Sequence, residues 1–92
     1  MERIKIKYLN IYYTITRKKE ESIEFPESPT LRELIEKLST NYKSEFRDNV
    51  MDGENKIKPY AWVLVNGLPT KNLQMRLKDG EVVVFSLPII GG

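Results

Sequence analysis

The sequence contains no cysteine and no histidine among its 92 residues. Without them the chain has no thiolate nucleophile, no imidazole base and no zinc site built from the usual nitrogen and sulfur ligands. Most small-enzyme mechanisms are thereby excluded, and we predict no metal site and no catalytic activity for the chain on its own. A fold without cysteine also does not depend on an oxidising compartment.

Long apolar runs are missing too, since Met1 is followed at once by the charged residues Glu2 and Arg3. Neither a secretory leader nor a membrane span is indicated, so we expect a cytoplasmic protein without a membrane partner. The length of 92 residues allows one domain with a single modest core.

An excess of one charge is also absent, because 15 basic side chains are balanced by 13 acidic ones, which leaves a net charge of +2. A nucleic-acid-binding protein usually carries a concentrated basic stripe. The nearest candidate, Arg17 to Lys19, runs directly into Glu20 and Glu21, and such a mixed run is typical of a solvated loop. We therefore expect no direct contact with nucleic acid.

Alternation of apolar and polar residues predicts two strands in the first part of the chain. Residues 4–8 and 22–25 alternate at period two, as half-buried strands do, and Pro26 stops the second. These strands should pair as a hairpin. Residues 10–16 (NIYYTIT) are rich in β-branched and aromatic side chains, and we assign them to a strand end followed by a loop.

A helix is predicted over residues 31–42. Thr30 and Glu33 have the spacing of a capping box, and an apolar stripe at helical spacing follows. The members of this stripe are Leu31, Leu34, Ile35, Leu38 and Tyr42. Phe46, Val50 and Met51 are expected to continue the core in a short irregular turn.

Two further strands, residues 61–65 and 81–86, are predicted in the second part of the chain. An Asn66-Gly67 turn follows the first, and an Asp79-Gly80 turn precedes the second. The order strand, strand, helix, strand, strand predicts an α+β fold, in which a mixed sheet has one main helix packed across one face.

The last strand has two different faces. Val83 and Phe85 share one of them, so Val82 and Val84 must share the other. A single helix covers only one face of the sheet. If Phe85 faces the helix, the two valines lie on the open face, which fits either a central strand or a docking patch.

This strand continues without a linker into a tail that ends in Gly91 and Gly92. Pro88 cannot donate a ladder hydrogen bond, so we divide the chain into a domain, residues 1–86, and a protruding tail, residues 87–92. Glycines lack the Cβ atoms that would obstruct a narrow channel. We predict that Gly91 threads into another protein's active site and that the Gly92 α-carboxylate is the reactive group. The predicted partner-binding residues are Val82, Val84, Leu87, Pro88, Ile89 and Ile90.

Four segments carry a resemblance to a known family: "IKIKYL", "PTLRELIEKL", "VLVNG" and the final "LKDGEVVVFSLPIIGG". On these segments the chain resembles the small sulfur-carrier proteins of the ubiquitin-like β-grasp fold, typified by the molybdopterin synthase small subunit, MoaD, and by ThiS of the thiamine pathway. The last segment is the most specific. It combines an Asp-Gly turn, an apolar strand, a proline and a terminal Gly-Gly at the family's spacing.

The resemblance implies a function for the tail. A ubiquitin-activating-like enzyme (MoeB-like) uses ATP to adenylate the terminal glycine, which is then converted to a thiocarboxylate. In the molybdopterin branch the tail enters the large synthase subunit (MoaE-like) and donates sulfur for molybdopterin. The carrier is then a non-catalytic small subunit with no bound cofactor. Pro88 and the chain length resemble this branch more than the thiamine carriers.

Three features depart from the family pattern. Leu87 stands where many relatives have a second proline, Ile90 replaces a common alanine or serine, and residues 10–16 lack the usual Ala- and Arg-containing stretch. The partner therefore stays open. A protein modifier or a tRNA-thiolation carrier uses the same tail, and the remaining alternative is an interaction module whose glycines are incidental.

Overall fold

The computed structural model describes residues 1–88, which form one mixed sheet with two helices. The elements in chain order are β1 (Glu2–Tyr8), α1 (Ile11–Thr16), β2 (Glu20–Phe25), α2 (Leu31–Val50), β3 (Trp62–Val65), β4 (Leu68–Pro69) and β5 (Val82–Ser86). The strand order is β2-β1-β5-β3-β4. Strand β1 pairs parallel with β5 and antiparallel with β2, while β3 pairs antiparallel with β5 and β4.

The core lies between α2 and one face of this sheet. Apolar residues at every second position of β1 and β5 pack with the apolar stripe of α2. The residues involved are Ile4, Ile6, Tyr8, Val83 and Phe85 from the strands and Leu31, Leu34, Ile35 and Leu38 from the helix. The predicted α+β class is confirmed. No helix within residues 1–88 is long and apolar enough to cross a membrane.

Helix α2 begins as predicted but continues beyond the predicted end. The Thr30 hydroxyl accepts from the Glu33 amide at 3.1 Å, and the Glu33 carboxylate accepts from the Thr30 amide at 2.8 Å, so the capping box is confirmed. The helix kinks at Tyr42 and Lys43, where Lys43 has a φ of 64°, and then resumes to Val50. Phe46, Val50 and Met51 are buried in the core, as predicted. The prediction that they form an irregular turn is wrong, because Phe46 and Val50 lie one turn apart on α2.

The interpretation of residues 10–16 as a strand end and loop is also wrong, because residues 11–16 form α1. Tyr12 is fully buried, its ring lies 6.0 Å from the rings of Phe46 and Phe85, and its hydroxyl donates to the Asn49 carbonyl at 2.7 Å. Burial raises the pKa of Tyr12 to about 12, so the phenol remains a donor. Tertiary packing of this side chain outweighs the β-propensity of its neighbours.

The four predicted strands are present with slightly different ends, and the structure has one strand, β4, that was not predicted. β1 and β2 pair antiparallel as expected, although α1 lies in their connection. Asn66 and Gly67 form the predicted turn, with φ values of 51° and 85°. The chain then returns as β4, a two-residue strand that the sequence pattern did not reveal.

A half-buried carboxylate, that of Glu21, connects the kink in α2 to the sheet. The hydroxyl of Tyr8 donates to Glu21 Oε2 at 2.6 Å, that of Tyr42 donates to the same oxygen, and Lys18 Nζ lies 3.4 Å from Oε1. Burial alone would raise the pKa of the Glu21 carboxyl. The hydrogen bonds from the tyrosines and the charge of Lys18 outweigh that effect and hold this pKa below its ordinary value of 4.5.

Replacing Glu21 with glutamine should therefore destabilise the protein at neutral pH and matter much less in acid. Charge-assisted hydrogen bonds contribute about 1.5–3 kcal/mol each, and we expect a loss of that size in total. The pKa of Glu21 is lower in the folded state than in the unfolded state. Its contribution to stability is therefore complete above the unfolded-state pKa of 4.5, and it is lost as the pH falls through the folded-state pKa. Urea unfolding of both proteins across the acid range measures this difference. Glu27→Gln, at an exposed position, is the control, and a difference that does not depend on pH would contradict the interpretation.

Candidate functional site

The candidate site begins on the sheet face that α2 leaves open. Strand β5 is the central strand, and its buried residues Val83 and Phe85 point toward the helix. Val82 and Val84 therefore lie on the open face, as predicted, and both are half-buried. Their strand neighbours cover them in part, because Val84 lies between Lys7 of β1 and Leu64 of β3, and Val82 lies beside Lys5 of β1.

An apolar region extends from these valines toward β3. Leu64 is directly opposite Val84, and Trp62 is opposite Ser86. Leu64 is half-buried, while 41% of Trp62 is exposed. Neither residue was predicted for the site. Alternation along residues 61–65 would have placed both on one face, but only the register shows that this face is the one that carries Val84.

The other half of the open face is charged. Lys5 is opposite Val82 and Lys7 is opposite Val84 on the side of β1. Across β1 and β2, Lys5 Nζ lies 2.7 Å from Glu20 Oε2, and the Lys5 hydrogen bond and charge lower the pKa of Glu20. This pair is exposed and contributes little to stability. The open face thus has an apolar half and a charged half, which meet along β5.

The tail leaves the sheet at the end of β5, where Asn10 holds it. Strand β5 ends at Ser86, Leu87 is 37% exposed and Pro88 is half-buried. The amide of Leu87 donates to Asn10 Oδ1 at 3.0 Å, and the Ser86 hydroxyl donates to the same oxygen at 2.9 Å. The sequence did not indicate this contact.

The remaining predicted site residues, Ile89, Ile90, Gly91 and Gly92, lie outside the described residues. The assignment of the site and the division into a domain and a tail therefore stay predictions. Residues 1–88 bring together no group of three or more metal-binding side chains. The described residues provide an open sheet face with an apolar half and a charged half, and a hydrogen-bonded start of the tail at Leu87.

The sequence matches the model of the ThiS family over residues 6–92. No match is found among curated proteins. Among solved structures, a protein from Pyrococcus furiosus assigned as molybdopterin converting factor, subunit 1, is 27% identical with a TM-score of 0.80, and the match covers 97% of this chain and 100% of that one.

Two more distant structures share the fold. Small archaeal modifier protein 1 of Haloferax volcanii is 12% identical with a TM-score of 0.81, over 97% of this chain and 100% of that one. The complex of subunits 1 and 2 of molybdopterin-converting factor from Helicobacter pylori contains a chain that is 18% identical with a TM-score of 0.63, over 98% of this chain and 99% of that one. The family match spans nearly the whole sequence and the neighbours share its sheet and helix, so the chain belongs to the ThiS family of small, non-catalytic sulfur carriers with a ubiquitin-like β-grasp fold.

Proposed function

We propose that this chain carries sulfur on its Gly92 carboxylate and donates it in molybdopterin synthesis. The observation that carries the proposal is the family match, which continues through residue 92 and so includes Gly91 and Gly92. The identity of 27% to the Pyrococcus furiosus protein supports the molybdopterin branch. The likeness to the archaeal modifier extends to the fold alone, so conjugation to other proteins is the alternative outcome of the test.

The chemistry requires no side chain of the carrier. A Gly92 carboxylate oxygen attacks the α-phosphorus of ATP, pyrophosphate leaves, and an acyl-adenylate forms. Hydrosulfide then attacks the acyl carbon and AMP leaves, which gives the thiocarboxylate. The thiocarboxylate sulfur attacks an electrophilic carbon of the acceptor and displaces an oxygen leaving group. Hydrolysis of the resulting acyl–sulfur bond leaves the sulfur on the acceptor and restores the carboxylate. A chain without cysteine and histidine is compatible with this cycle.

Two partners have to recognise the carrier, namely a MoeB-like adenylating enzyme and a MoaE-like large subunit. We assign their contact to the apolar half of the open face, around Val82 and Val84, and to Leu87 and Pro88 at the start of the tail. Half-buried apolar side chains at the centre of a face with charged residues beside them are typical of a docking surface. The complex of the Helicobacter pylori subunits supports pairing with a second subunit. No ATP site is needed on the carrier, because the adenylating enzyme binds the nucleotide.

The test is intact-mass spectrometry of the protein purified from cells with the pathway intact. We expect a population whose mass increase corresponds to replacement of one C-terminal oxygen by sulfur. This form should yield the dithiolene when it is combined with a large synthase subunit and the pterin precursor. A chain found only as Gly-Gly remnants on lysines of other proteins, never with sulfur, would reject the molybdopterin function in favour of a modifier.

A further inference from the structure

Asn10 lies in a tight turn between β1 and α1, and its backbone is one that glycine prefers. The Leu9 carbonyl accepts from the Tyr12 amide at 3.1 Å, which makes Asn10 the second residue of a β-turn. Its φ and ψ angles are 58° and −131°. A positive φ at this position of a turn usually selects glycine. The presence of a larger side chain here requires an explanation.

The side chain of Asn10 does not serve the helix that follows. Asparagine is among the best residues for capping a helix N-terminus, yet Asn10 makes no side-chain capping bond to α1. Its Oδ1 instead accepts from Ser86 and Leu87, at the other end of the sequence. Because an amide N–H can only donate, the Asn10 atom that faces the Leu87 N–H has to be the oxygen.

This oxygen takes the place of a backbone acceptor that a regular β1–β5 pairing would provide. The Leu9 amide donates to the Phe85 carbonyl at 3.0 Å, and a regular parallel ladder would next have the Leu87 amide donate to the Leu9 carbonyl. That carbonyl is occupied by the Tyr12 amide. Asn10 Oδ1 therefore supplies the acceptor for the first residue of the tail, just where the backbone of β1 turns away.

We propose that Asn10 is a positioning residue that fixes the direction in which the C-terminal tail leaves the sheet, so that Gly92 is presented to the adenylating enzyme. The proposal rests on the proposed function. Holding the root of the tail reduces the number of directions that the reactive end explores before it enters an active site. Asn10 acts through the Leu87 amide and touches no reacting atom.

The experiment compares Asn10→Gly with Asn10→Asp. Glycine suits the turn better than asparagine does but removes the acceptor, whereas aspartate retains an oxygen for both donors. Asn66→Gly is the matched control, because Asn66 also has a positive φ and its Oδ1 accepts from the Val82 amide at 3.0 Å, at the start of β5. The readouts are melting temperature, exchange of the Leu87 amide by NMR, and ATP–pyrophosphate exchange with an adenylating enzyme.

For Asn10→Gly we expect an unchanged or higher melting temperature, faster exchange at Leu87, and kcat lowered by about three- to tenfold. The KM for the carrier should stay unchanged, because the docking face is intact. Asn10→Asp and Asn66→Gly should resemble the wild type in both kcat and Leu87 exchange.

Two results would overturn the inference: Leu87 exchange that is equal in Asn10→Gly and the wild type, or faster exchange with an unaltered kcat. A wild-type chain that no adenylating enzyme accepts would reject the proposed function instead. The exchange comparison needs no enzyme, so it would still decide whether Asn10 holds the tail.

Discussion

Replacing Phe85 with alanine should lower the free energy of unfolding by about 3–5 kcal/mol, the usual cost of deleting a buried aromatic ring. Phe85 is completely buried in the central strand. Its ring lies 5.2 Å from that of Phe46, 6.0 Å from that of Tyr12 and 6.3 Å from that of Tyr8. The change therefore opens a cavity where both helices meet the sheet. Chemical denaturation measures the loss, and an unchanged slope with denaturant would show that only stability has changed.

Val84→Ala is the matched control, since Val84 is the preceding residue of the same strand but lies on the open face. We expect a loss of about 1 kcal/mol, because a half-buried valine gives up little apolar contact. Equal losses at the two positions would mean that both faces of the sheet are covered, and would argue against the docking face. The folded Val84 variant should also bind the adenylating enzyme more weakly than the wild type.

Deleting Gly91 and Gly92 should abolish adenylation while changing the melting temperature by less than about 4 °C, which corresponds to less than about 1 kcal/mol for a domain of this size. Pairing in β5 ends at Ser86, and the last buried apolar residue within residues 1–88 is Phe85. The described core is therefore complete before the deleted residues. We expect function to be lost because the deletion leaves the terminal carboxylate on Ile90, two residues before the position of the carboxylate in the proposed reaction.

Gly91→Ala provides the control for this deletion. It retains the Gly92 carboxylate but adds a Cβ atom to the tail, so we expect adenylation to be slowed and not abolished. A large fall in melting temperature for the deletion would identify the two glycines as structural. Full adenylation of the shortened chain would remove Gly92 from the proposed chemistry.

The features that could be predicted from the sequence depend on neighbours along the chain. The Thr30 and Glu33 capping box, the apolar stripe of α2, the Asn66-Gly67 turn and the two faces of β5 each arise from spacings of a few residues. The family resemblance rests on the same kind of local pattern, namely an Asp-Gly turn, an apolar strand and Gly-Gly at fixed spacing.

The features that were missed depend on distant partners. Helix α1 forms because Tyr12 packs against Phe46 and Phe85, and its own sequence favours a strand. The positions of Trp62 and Leu64 on the open face beside Val84 follow from pairing with β5, which a sequence pattern does not specify. The contact of Asn10 with Leu87 joins residues that are 77 positions apart, and a local sequence pattern carries no information about such a pair.

The strand order also determines how the chain folds. Within residues 1–88, β5 is the last strand, yet it alone connects the β1–β2 pair to the β3–β4 pair in the sheet. The two pairs form from local contacts, whereas joining them requires closure of a loop from Lys5 to Val82, which costs entropy and slows folding. A nascent chain that lacks β5 therefore has two unconnected half-sheets and an incomplete core. Completion of the fold therefore requires the strand that leads into the tail.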